Sequence, residues 1–577
     1  MPTSTGLNTK KMDSKKNLFI YKKMKINLIV LFFAVCAAGA WAQEYKVPVT
    51  NEKEQMVEGQ YKPQWESLRK HKTPEWFRDA KFGIWAHWGP QCVEGSGDWM
   101  ARNMYKEGTY AYNYHKEHYG HPSEVGFKDI LPLFKAEKWD PDKLVERYKR
   151  LGAQYIFVLG NHHDNFDLWD SKYQPWNSVN MGPKKDLIAG WAKASKKYGL
   201  PLGISFHADH AWLWYEPAQR YDINGPKAGI HYDGKLTKAD GKGKWWEGYD
   251  PQDLYAQNHP MSEKSWANNR VHVQWAWSGG ACLPTLEYVT NFYDRTLDAI
   301  NRYNPDLIYF DVTVAPFHDI SDCGLKIASH FYNKNPRAVM FGKMLNDEQR
   351  EALTWDVERG APNEIVEEPW QTCNCLGNWH YNTSIYERGS YKSATEVIKQ
   401  LIDIVSKNGN LLLSIPLRAD GTYDEKEAAI LDGIEAWMTV NKESIFNTRP
   451  WVRFGEGPVA ESDIKLKAQG FNDGMYSNMT SADIRFNQTK KYLYVTPLGW
   501  PEDGKVVVRS LAKGNPHFKK NITTVELLGY GCLKVVQTDN GLEIQLPIVT
   551  NAHKQLHILF LTNEKNGACA LHLVSPE

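Results

Sequence analysis

The feature that most constrains the fold is a repeated alternation of short apolar runs and helical segments between residues 80 and 441. Each run ends at a turn or at a polar residue, which is typical of strands that are buried on both faces of a parallel sheet. Parallel strands need long crossover connections, and the intervening helical segments supply them. Roughly eight such units over about 350 residues predict an α/β fold closed into a (β/α)8 TIM barrel rather than an open sheet.

Turn and capping residues set the expected boundaries of these units. Asp140-Pro141 predicts a helix start, because Asp caps the first turn and Pro is tolerated at the first helical position. Asp186 predicts a second start, and Gly199 the end of that helix. After a first strand that ends at His87, strands are predicted at Tyr155–Leu159, Leu202–Phe206, Leu307–Phe310, Ala338–Phe341, Leu353–Val357 and Leu411–Ile415.

The ends of the chain differ from this barrel, which is expected to span residues 43–451. Residues 1–42 combine lysines, an apolar stretch and Ala40-Trp41-Ala42, so they predict an N-terminal extension and a signal peptide cleaved after about Ala42. Export to the periplasm or the extracellular space follows. Residues 452–577 hold short alternating segments separated by turns, which predict a C-terminal antiparallel β-sandwich.

A long segment at about residues 219–280 interrupts the alternation and is rich in Gly, Lys, Asp and Trp. Long irregular loops inside compact domains are usually functional. We expect an insertion over the barrel mouth that contributes to recognition of the leaving group or of an extended substrate.

Composition excludes some classes of partner. The net charge is +1 and no basic patch is present, so nucleic acid is not expected as a partner. Apart from the signal peptide, no apolar stretch is long enough to predict a membrane span. The cysteines beyond residue 42 are few and predict no disulfide framework. The oligomeric state is not readable from the sequence.

Several predicted strands end in a histidine or a carboxylate: His87, His162-His163, His207 and Asp311. The carboxyl ends of barrel strands meet at one face, so these side chains predict a polar pocket for a small polyhydroxylated ligand. A buried structural histidine or a capping aspartate is the alternative for each residue taken singly. His162-His163-Asp164 also suggests a metal-dependent hydrolase. However, the side chains of adjacent residues on an extended chain point apart, so both histidines rarely bind one ion. We therefore expect no metal and no cofactor.

A set of longer motifs resembles the α-L-fucosidases of glycoside hydrolase family 29. The resemblance keeps the family's order over roughly residues 60–451. The segments that carry it are Lys81–Gly89, Gly160–Ser171, Pro183–Asp186, Pro305–Asp311, Asn408–Pro416 and Arg418–Gly421.

The resemblance implies a retaining glycosidase that works by double displacement without a metal. Asp311 matches the family nucleophile, and Arg359 is a further candidate for binding substrate. Asp98 stands where the family usually has Glu, His207 where it often has Tyr, and Tyr309 where it has Trp. The positions expected to bind substrate are His87, Asp98, Trp99, His162, His163, His207 and Tyr309.

The general acid/base departs from the family pattern. Gln371 occupies the position of a Glu in much of the family, and an amide cannot exchange a proton in that role. Glu358, at the end of a predicted strand and next to Arg359, is the expected replacement; a structural Glu–Arg pair is the alternative. Glu367 and Glu368 are the remaining candidates.

These observations predict a secreted exo-acting α-L-fucosidase whose partner is a fucosylated oligosaccharide or glycoconjugate. Two alternatives stay open. One is the same fold acting on another sugar, such as a galactoside, because several site positions depart from the pattern. The other is a carbohydrate-binding homologue with impaired catalysis, because of Gln371.

Overall fold

The computed structural model describes residues 44–263, 277–517, 521–548 and 559–562. The predicted signal peptide and part of the predicted insertion lie outside these ranges. From Val47 onward the chain forms one compact unit. Within the described ranges, no helix combines the length and the apolar character that crossing a membrane would require.

Eight parallel strands close into a barrel in sequence order, and β8 pairs with β1 to complete it, with Phe82 opposite Leu411. This confirms the predicted fold class. One strand, β7, was not anticipated from the sequence. The strands are β1 Phe82–Ala86, β2 Tyr155–Asn161, β3 Leu202–Phe206, β4 Leu307–Phe310, β5 Val339–Gly342, β6 Thr354–Glu358, β7 Trp370–Cys375 and β8 Gly409–Ser414.

Helices follow most strands in the sequence, and their caps match the sequence signals. Asp140 and Asp186 accept hydrogen bonds from the first turns of their helices, and Gly199 ends the second one with a φ of 66°. The helices that directly precede β2 to β6 and β8, and the helix after β8, are α1 Pro141–Arg150, α2 Leu187–Tyr198, α3 Leu286–Tyr303, α4 Cys323–Lys334, α5 Asp347–Ala352, α6 Ala394–Ser406 and α7 Glu425–Asn441. Further helices include Glu75–Ala80, Met100–Asn103, Tyr110–His118, Phe127–Ile130, Ala211–Trp214, Pro251–Tyr255 and Thr383–Arg388.

Aromatic side chains fill the barrel beneath its carboxyl end. The Trp85 ring lies 4.8 Å from that of Tyr309 and 5.8 Å from that of Phe157, measured between ring centroids. Phe157 in turn contacts Phe341 at 5.9 Å. Large aromatic rings at these spacings bury much apolar area and favour tilted or edge-on contacts. The barrel interior is therefore a packed core, on which a pocket can form only at the strand ends.

Two glycines make room for this core. A Cβ atom at Gly83 would lie 2.4 Å from the Tyr155 ring, and one at Gly203 would lie 2.5 Å from the Phe157 ring. Neither ring can move away in a close-packed interior. A glycine on one strand thus leaves space for a large ring from the neighbouring strand.

The described part of the insertion packs on the long β1–α1 connection through buried carboxylates. Asp233 accepts hydrogen bonds from Tyr105 Oη at 2.7 Å and from Lys128 Nζ at 2.8 Å. Asp222 contacts His121 Nε2 at 2.9 Å. Buried carboxylates need such partners, so this segment is held firmly beside the barrel mouth.

The C-terminal region is antiparallel, as predicted, with a six-stranded sheet in the order β14-β13-β17-β11-β10-β9 and a three-stranded sheet in the order β12-β16-β15. Arg485 of β10 pairs with Asp403 of α6 at 2.5 Å, and both are buried. The predicted domain boundary at 451/452 stays a prediction. The strands are β9 Arg449–Glu456, β10 Ile484–Gln488, β11 Tyr492–Pro497, β12 Lys505–Val508, β13 Val525–Leu527, β14 Gly531–Leu533, β15 Val535–Thr538, β16 Gly541–Gln545 and β17 Leu559–Thr562.

Candidate active site

A cavity of about 710 Å³ opens at the carboxyl ends of the barrel strands. All but one of the site residues expected from the sequence line it; His163 instead lies against the lining residue Asp311. The lining residues are Trp85, His87, Asp98, Trp99, Asn103, His162, His207, Tyr309, Asp311, Val312, Thr313, Lys343, Met344, Glu358, Arg359, Asn378, Trp379, Gln469 and Phe471.

Asp311 directly follows β4 and is surrounded by hydrogen-bond donors. Its Oδ2 lies 3.1 Å from His163 Nε2, and its Oδ1 contacts the Lys343 ammonium. Burial opposes ionisation of this carboxyl, but the charge of Lys343 and the hydrogen bond from His163 outweigh it and hold the pKa of Asp311 well below its usual range. Asp311 is therefore a carboxylate at any ordinary pH.

His163 is oriented by a second contact. Its Nδ1 lies 2.9 Å from the backbone oxygen of His207, and its Nε2 faces Asp311. These two contacts fix the orientation of the His163 ring beside Asp311.

Lys343 follows β5, and the sequence analysis did not single it out. Its Nζ contacts Asp311 and lies 2.6 Å from Glu358 Oε2. Burial works against the charge of Lys343, but Asp311 and Glu358 outweigh it and raise the pKa of the ammonium well above its usual value. One positive charge is thus shared by the two carboxylates that the sequence proposed as catalytic.

Glu358 ends β6 and is supported by a loop from beyond the barrel. Its backbone N–H donates to Gln469 Oε1 at 2.9 Å. Arg359, with a φ of 50°, points its guanidinium towards Asp473, with the ion pair at 3.3 Å. The Glu–Arg neighbours therefore do not pair with each other: Glu358 faces Lys343, and Arg359 faces Asp473.

Gln371 lies inside the barrel and does not line the cavity. Its Oε1 accepts from Tyr155 Oη at 2.8 Å, and its Nε2 donates to Asp356 Oδ1 at 2.9 Å. Burial raises the pKa of Asp356 to about 6. Gln371 and Asp356 form a satisfied polar pair within the core, away from the space that a substrate can occupy.

The other acid candidates are at the wrong end of the barrel. Glu367 and Glu368 are exposed and precede the amino end of β7, whereas the cavity opens at the carboxyl ends. Among the carboxylates considered as general acid, Glu358 is the one that lines the cavity.

Three buried histidines from different strand ends form a cluster in the cavity wall, here termed the histidine cluster: His87, His162 and His207. Their ring centroids are 4.8–5.7 Å apart. Burial lowers the pKa of each ring well below its usual value, so all three are neutral. Gln91 Nε2 contacts His162 Nδ1 at 2.8 Å. Within the described residues, His87 Nδ1 and both His207 nitrogens are buried without a hydrogen-bond partner, although both rings line the cavity.

Asp98 is held at the edge of this cluster by a histidine that the sequence analysis missed. His380 Nδ1 lies 2.6 Å from Asp98 Oδ1, and His162 Nε2 lies 3.7 Å from the same atom. Trp99, beside Asp98, has a φ of 65° and caps a short helix. Trp379, which was also missed, stands 5.3 Å from the His87 ring and adds an aromatic wall.

Some of these side chains could also hold a metal ion, since their ligand atoms lie within 4.8 Å of one another. None of the groups that the described residues offer combines His162, His163 and Asp164, the set considered from the sequence. The groups are His87–His162–His207, Asp98–His162–His380 and His163–His207–Asp311. The contact from Gln91 Nε2 already uses the lone pair of His162 Nδ1, which places the proton on Nε2 and disfavours coordination there.

Several residues of the site were not predicted from the sequence, and most of them have no apolar run beside them that would mark a strand end. Lys343 is an exception, because it follows a predicted strand and its position after Phe341-Gly342 matches that of the other strand-end residues. The residues that were not predicted are Trp85, Asn103, Val312, Thr313, Lys343, Met344, Asn378, Trp379, His380, Gln469 and Phe471.

Comparisons with known proteins find α-L-fucosidases among the relatives of this chain. The chain is 24% identical to an α-L-fucosidase of Dictyostelium discoideum, covering 85% of this chain and 89% of the relative. A Thermotoga maritima α-fucosidase solved with fucose has a TM-score of 0.61 at 24% identity, covering 87% of this chain and 99% of that one. A Bacteroides thetaiotaomicron α-L-fucosidase solved as a trapped covalent intermediate has a TM-score of 0.55 at 17% identity, covering 89% and 100%.

Family profiles cover most of the chain. The profile described as "Alpha-L-fucosidase" matches residues 49–443, and that described as "Alpha-L-fucosidase C-terminal domain" matches residues 477–562. The first match alone spans all eight strands of the barrel. The chain therefore belongs to the α-L-fucosidase family, glycoside hydrolase family 29, and is a glycoside hydrolase.

Proposed function

We propose that this enzyme removes terminal α-L-fucosyl residues from glycans with retention of configuration, using Asp311 as nucleophile and Glu358 as general acid/base. The observation that carries the proposal is the single Lys343 ammonium in contact with both carboxylates. Two hydrogen-bond lengths limit the separation of those oxygens to about 6 Å. Retaining glycosidases need about 5–5.5 Å, whereas inverting enzymes need about 6.5–9.5 Å to admit a water.

In the first step, the Asp311 carboxylate attacks the anomeric carbon while Glu358 gives its proton to the glycosidic oxygen. The C–O bond to the leaving group breaks, and a covalent fucosyl ester of Asp311 forms. The contacts from His163 and Lys343 keep Asp311 ionised and orient it for this attack.

In the second step, Glu358 takes a proton from water, which attacks the same carbon and releases Asp311. Asp311 is an uncharged ester at this stage, so the Lys343 ammonium is left beside Glu358. The ester bond to Asp311 breaks as the C–O bond to water forms, which restores the free Asp311 carboxylate.

The cavity wall supports binding of a single terminal sugar. The rings of the neutral histidine cluster line the cavity, and Trp85 and Tyr309, which pack in the barrel interior, line its base. A cavity closed at its base by these rings accommodates the end of a glycan chain. Fucose is the sugar of the relatives' names, and the site residues resemble that family.

A galactoside remains the second candidate because Asp98, His207 and Tyr309 all line the cavity and depart from the family pattern. The alternative of a catalytically impaired homologue was based on Gln371. Because Gln371 lies in the barrel core, it no longer supports that alternative. Export of the enzyme through residues 1–42 is part of the proposal and rests on the sequence.

A panel of nitrophenyl glycosides tests the substrate, with the α-L-fucoside expected to be cleaved fastest. Nuclear magnetic resonance of the first-formed sugar tests the stereochemistry, and α-L-fucose should appear before it mutarotates. Faster cleavage of a galactoside would select the second candidate, and initial release of β-L-fucose would refute retention.

A further inference from the structure

The loop at residues 464–473, between β9 and β10, reaches from the C-terminal region to the catalytic cavity. Gln469 and Phe471 line the same cavity as Asp311 and Glu358. Phe471 is 60% exposed, and Met344, which lines the cavity beside Lys343, is 64% exposed. Exposed large apolar side chains gathered at a cavity mark a surface that binds something.

Backbone contacts fix this loop on the barrel. Gln469 accepts from the N–H of Glu358 at 2.9 Å and donates to the backbone oxygen of Asp356 at 2.6 Å. A Cβ atom at Gly360 would lie 2.0 Å from the Ala468 oxygen, so the loop can approach this closely only because position 360 is glycine. The loop is therefore positioned against the end of β6 rather than merely near it.

The side chains of the loop present a specific surface. Asp473 holds Arg359 at 3.3 Å and also pairs with Lys392 at 2.9 Å. Arg359 in turn lies with its guanidinium carbon 5.5 Å from the centroid of the Phe471 ring. The guanidinium of Arg359 thus lies over the Phe471 ring, and both residues line the cavity together with Glu358.

We propose that Phe471 and Arg359 form the binding site for the leaving group, a hexopyranose whose C–H face stacks on Phe471 and whose hydroxyls accept from Arg359. This inference rests on the proposed function. The proton of Glu358 goes to the glycosidic oxygen, so the sugar attached to that oxygen lies next to Glu358 and meets these two side chains. Aromatic rings offer an apolar face of the size that a pyranose ring covers.

The insertion was expected to contribute to recognition of the leaving group or of an extended substrate. None of its residues in the range 219–263 lines the catalytic cavity, but residues 264–276 lie outside the described ranges, so this expectation stays a prediction. Trp277 lines a neighbouring cavity of about 190 Å³, which shares Val312 and Thr313 with the catalytic cavity.

The test compares two kinds of substrate that share the fucosyl group. The first is α-L-fucosyl fluoride, whose leaving group has no ring. The second is a disaccharide in which fucose is α-linked to galactose or to N-acetylglucosamine. In Phe471→Ala, the ratio of kcat/KM for the best disaccharide to kcat/KM for the fluoride should fall about 10-fold, because only the disaccharide loses a stacking partner. Phe471→Trp should restore it. Tyr530→Ala, at a residue with 59% exposure in the turn before β14, should leave both values unchanged.

An unchanged ratio in Phe471→Ala would overturn the inference. If kcat/KM falls equally on both kinds of substrate and the melting temperature is unchanged, Phe471 has a structural role. A wild-type enzyme that cleaves the fluoride but none of the disaccharides would also overturn the inference. Failure of the wild-type enzyme to cleave fucosyl fluoride would instead refute the proposed function itself.

Discussion

The two halves of the barrel mouth are built differently. The ends of β1 to β4 carry the buried histidine cluster and the half-buried Asp311, which directly follow their strands. The ends of β5 and β6 carry Lys343 and Glu358, and the 464–473 loop supports Glu358 from a sequence separation of 111 residues. The first half is formed by the barrel alone, and the second depends on the C-terminal region.

This difference matches the two tasks of a glycosidase. The fucosyl ring must be desolvated so that charge development at its anomeric carbon is met by fixed groups rather than by water. The leaving group must depart and water must enter, so that side needs access. Under the proposed function, the buried neutral histidines serve the first task, and the exposed Phe471 and Met344 lie on the side that serves the second.

The largest effect is expected at the nucleophile. Asp311→Ala should lower kcat on nitrophenyl α-L-fucoside by about 10⁴-fold or more, since no other group can form the covalent intermediate. Azide should restore part of the activity by attacking from the vacated space and yielding β-L-fucosyl azide, detected by chromatography. The exposed Asp170 provides the control, because Asp170→Asn should retain wild-type kcat. Near-normal turnover in Asp311→Ala would show that Asp311, and with it this half of the barrel mouth, does not supply the nucleophile.

Loss of the general acid should depend on the leaving group. Glu358→Gln should lower kcat/KM by about 10³-fold for a fucosyl disaccharide, whose leaving oxygen needs a proton, and far less for fucosyl fluoride. Gln371→Glu, placed in the barrel core beside Asp356, should not rescue this variant. A loss equal on both substrates would assign Glu358 a role other than proton transfer.

Lys343→Met should cost about 10²-fold in kcat, because a charge that acts in a water-excluded site is lost. Lys343 lowers the pKa of Asp311, so its removal raises that pKa. Activity requires ionised Asp311 and therefore falls on the acid side; this acid limb should move to higher pH in the variant. Lys343→Arg keeps the charge and should restore the wild-type limb. A pH–rate profile that does not shift would show that the ammonium does not act on Asp311.

Sequence patterns captured the first half of the mouth well and the second half poorly. His87, His207 and Asp311 each follow an apolar run, so strand-end logic finds them without knowledge of tertiary contacts. β7 was not predicted because Trp370–Cys375 contains no apolar run. Its inward Gln371 is stabilised by hydrogen bonds with Tyr155 and Asp356. A polar strand inside a core is stable only through partners on other strands, which local patterns do not reveal.

Lys343 and Gln469 were not predicted from the sequence for a related reason. A lysine after a strand usually reaches solvent, and only closure of the barrel places two carboxylates around Lys343. Gln469 lies in a connection with no regular structure, and its role arises from backbone groups of β6. Residues defined by what they meet across the fold cannot be found from their own neighbours in sequence.

The smallest effect, and the sharpest test of the two-part mouth, is expected at Gln469. Gln469→Ala removes the acceptor of the Glu358 N–H and one donor to the backbone oxygen of Asp356, so Glu358 becomes less well oriented. We expect kcat on a fucosyl disaccharide to fall about 10-fold, because small misplacements of a catalytic group are costly. The inhibition constant of free fucose should not change, since the histidine cluster is held independently. Gln55→Ala, at an exposed glutamine, serves as the control. Weaker binding of fucose in Gln469→Ala would mean that the two halves are coupled and that the C-terminal region also shapes the sugar pocket.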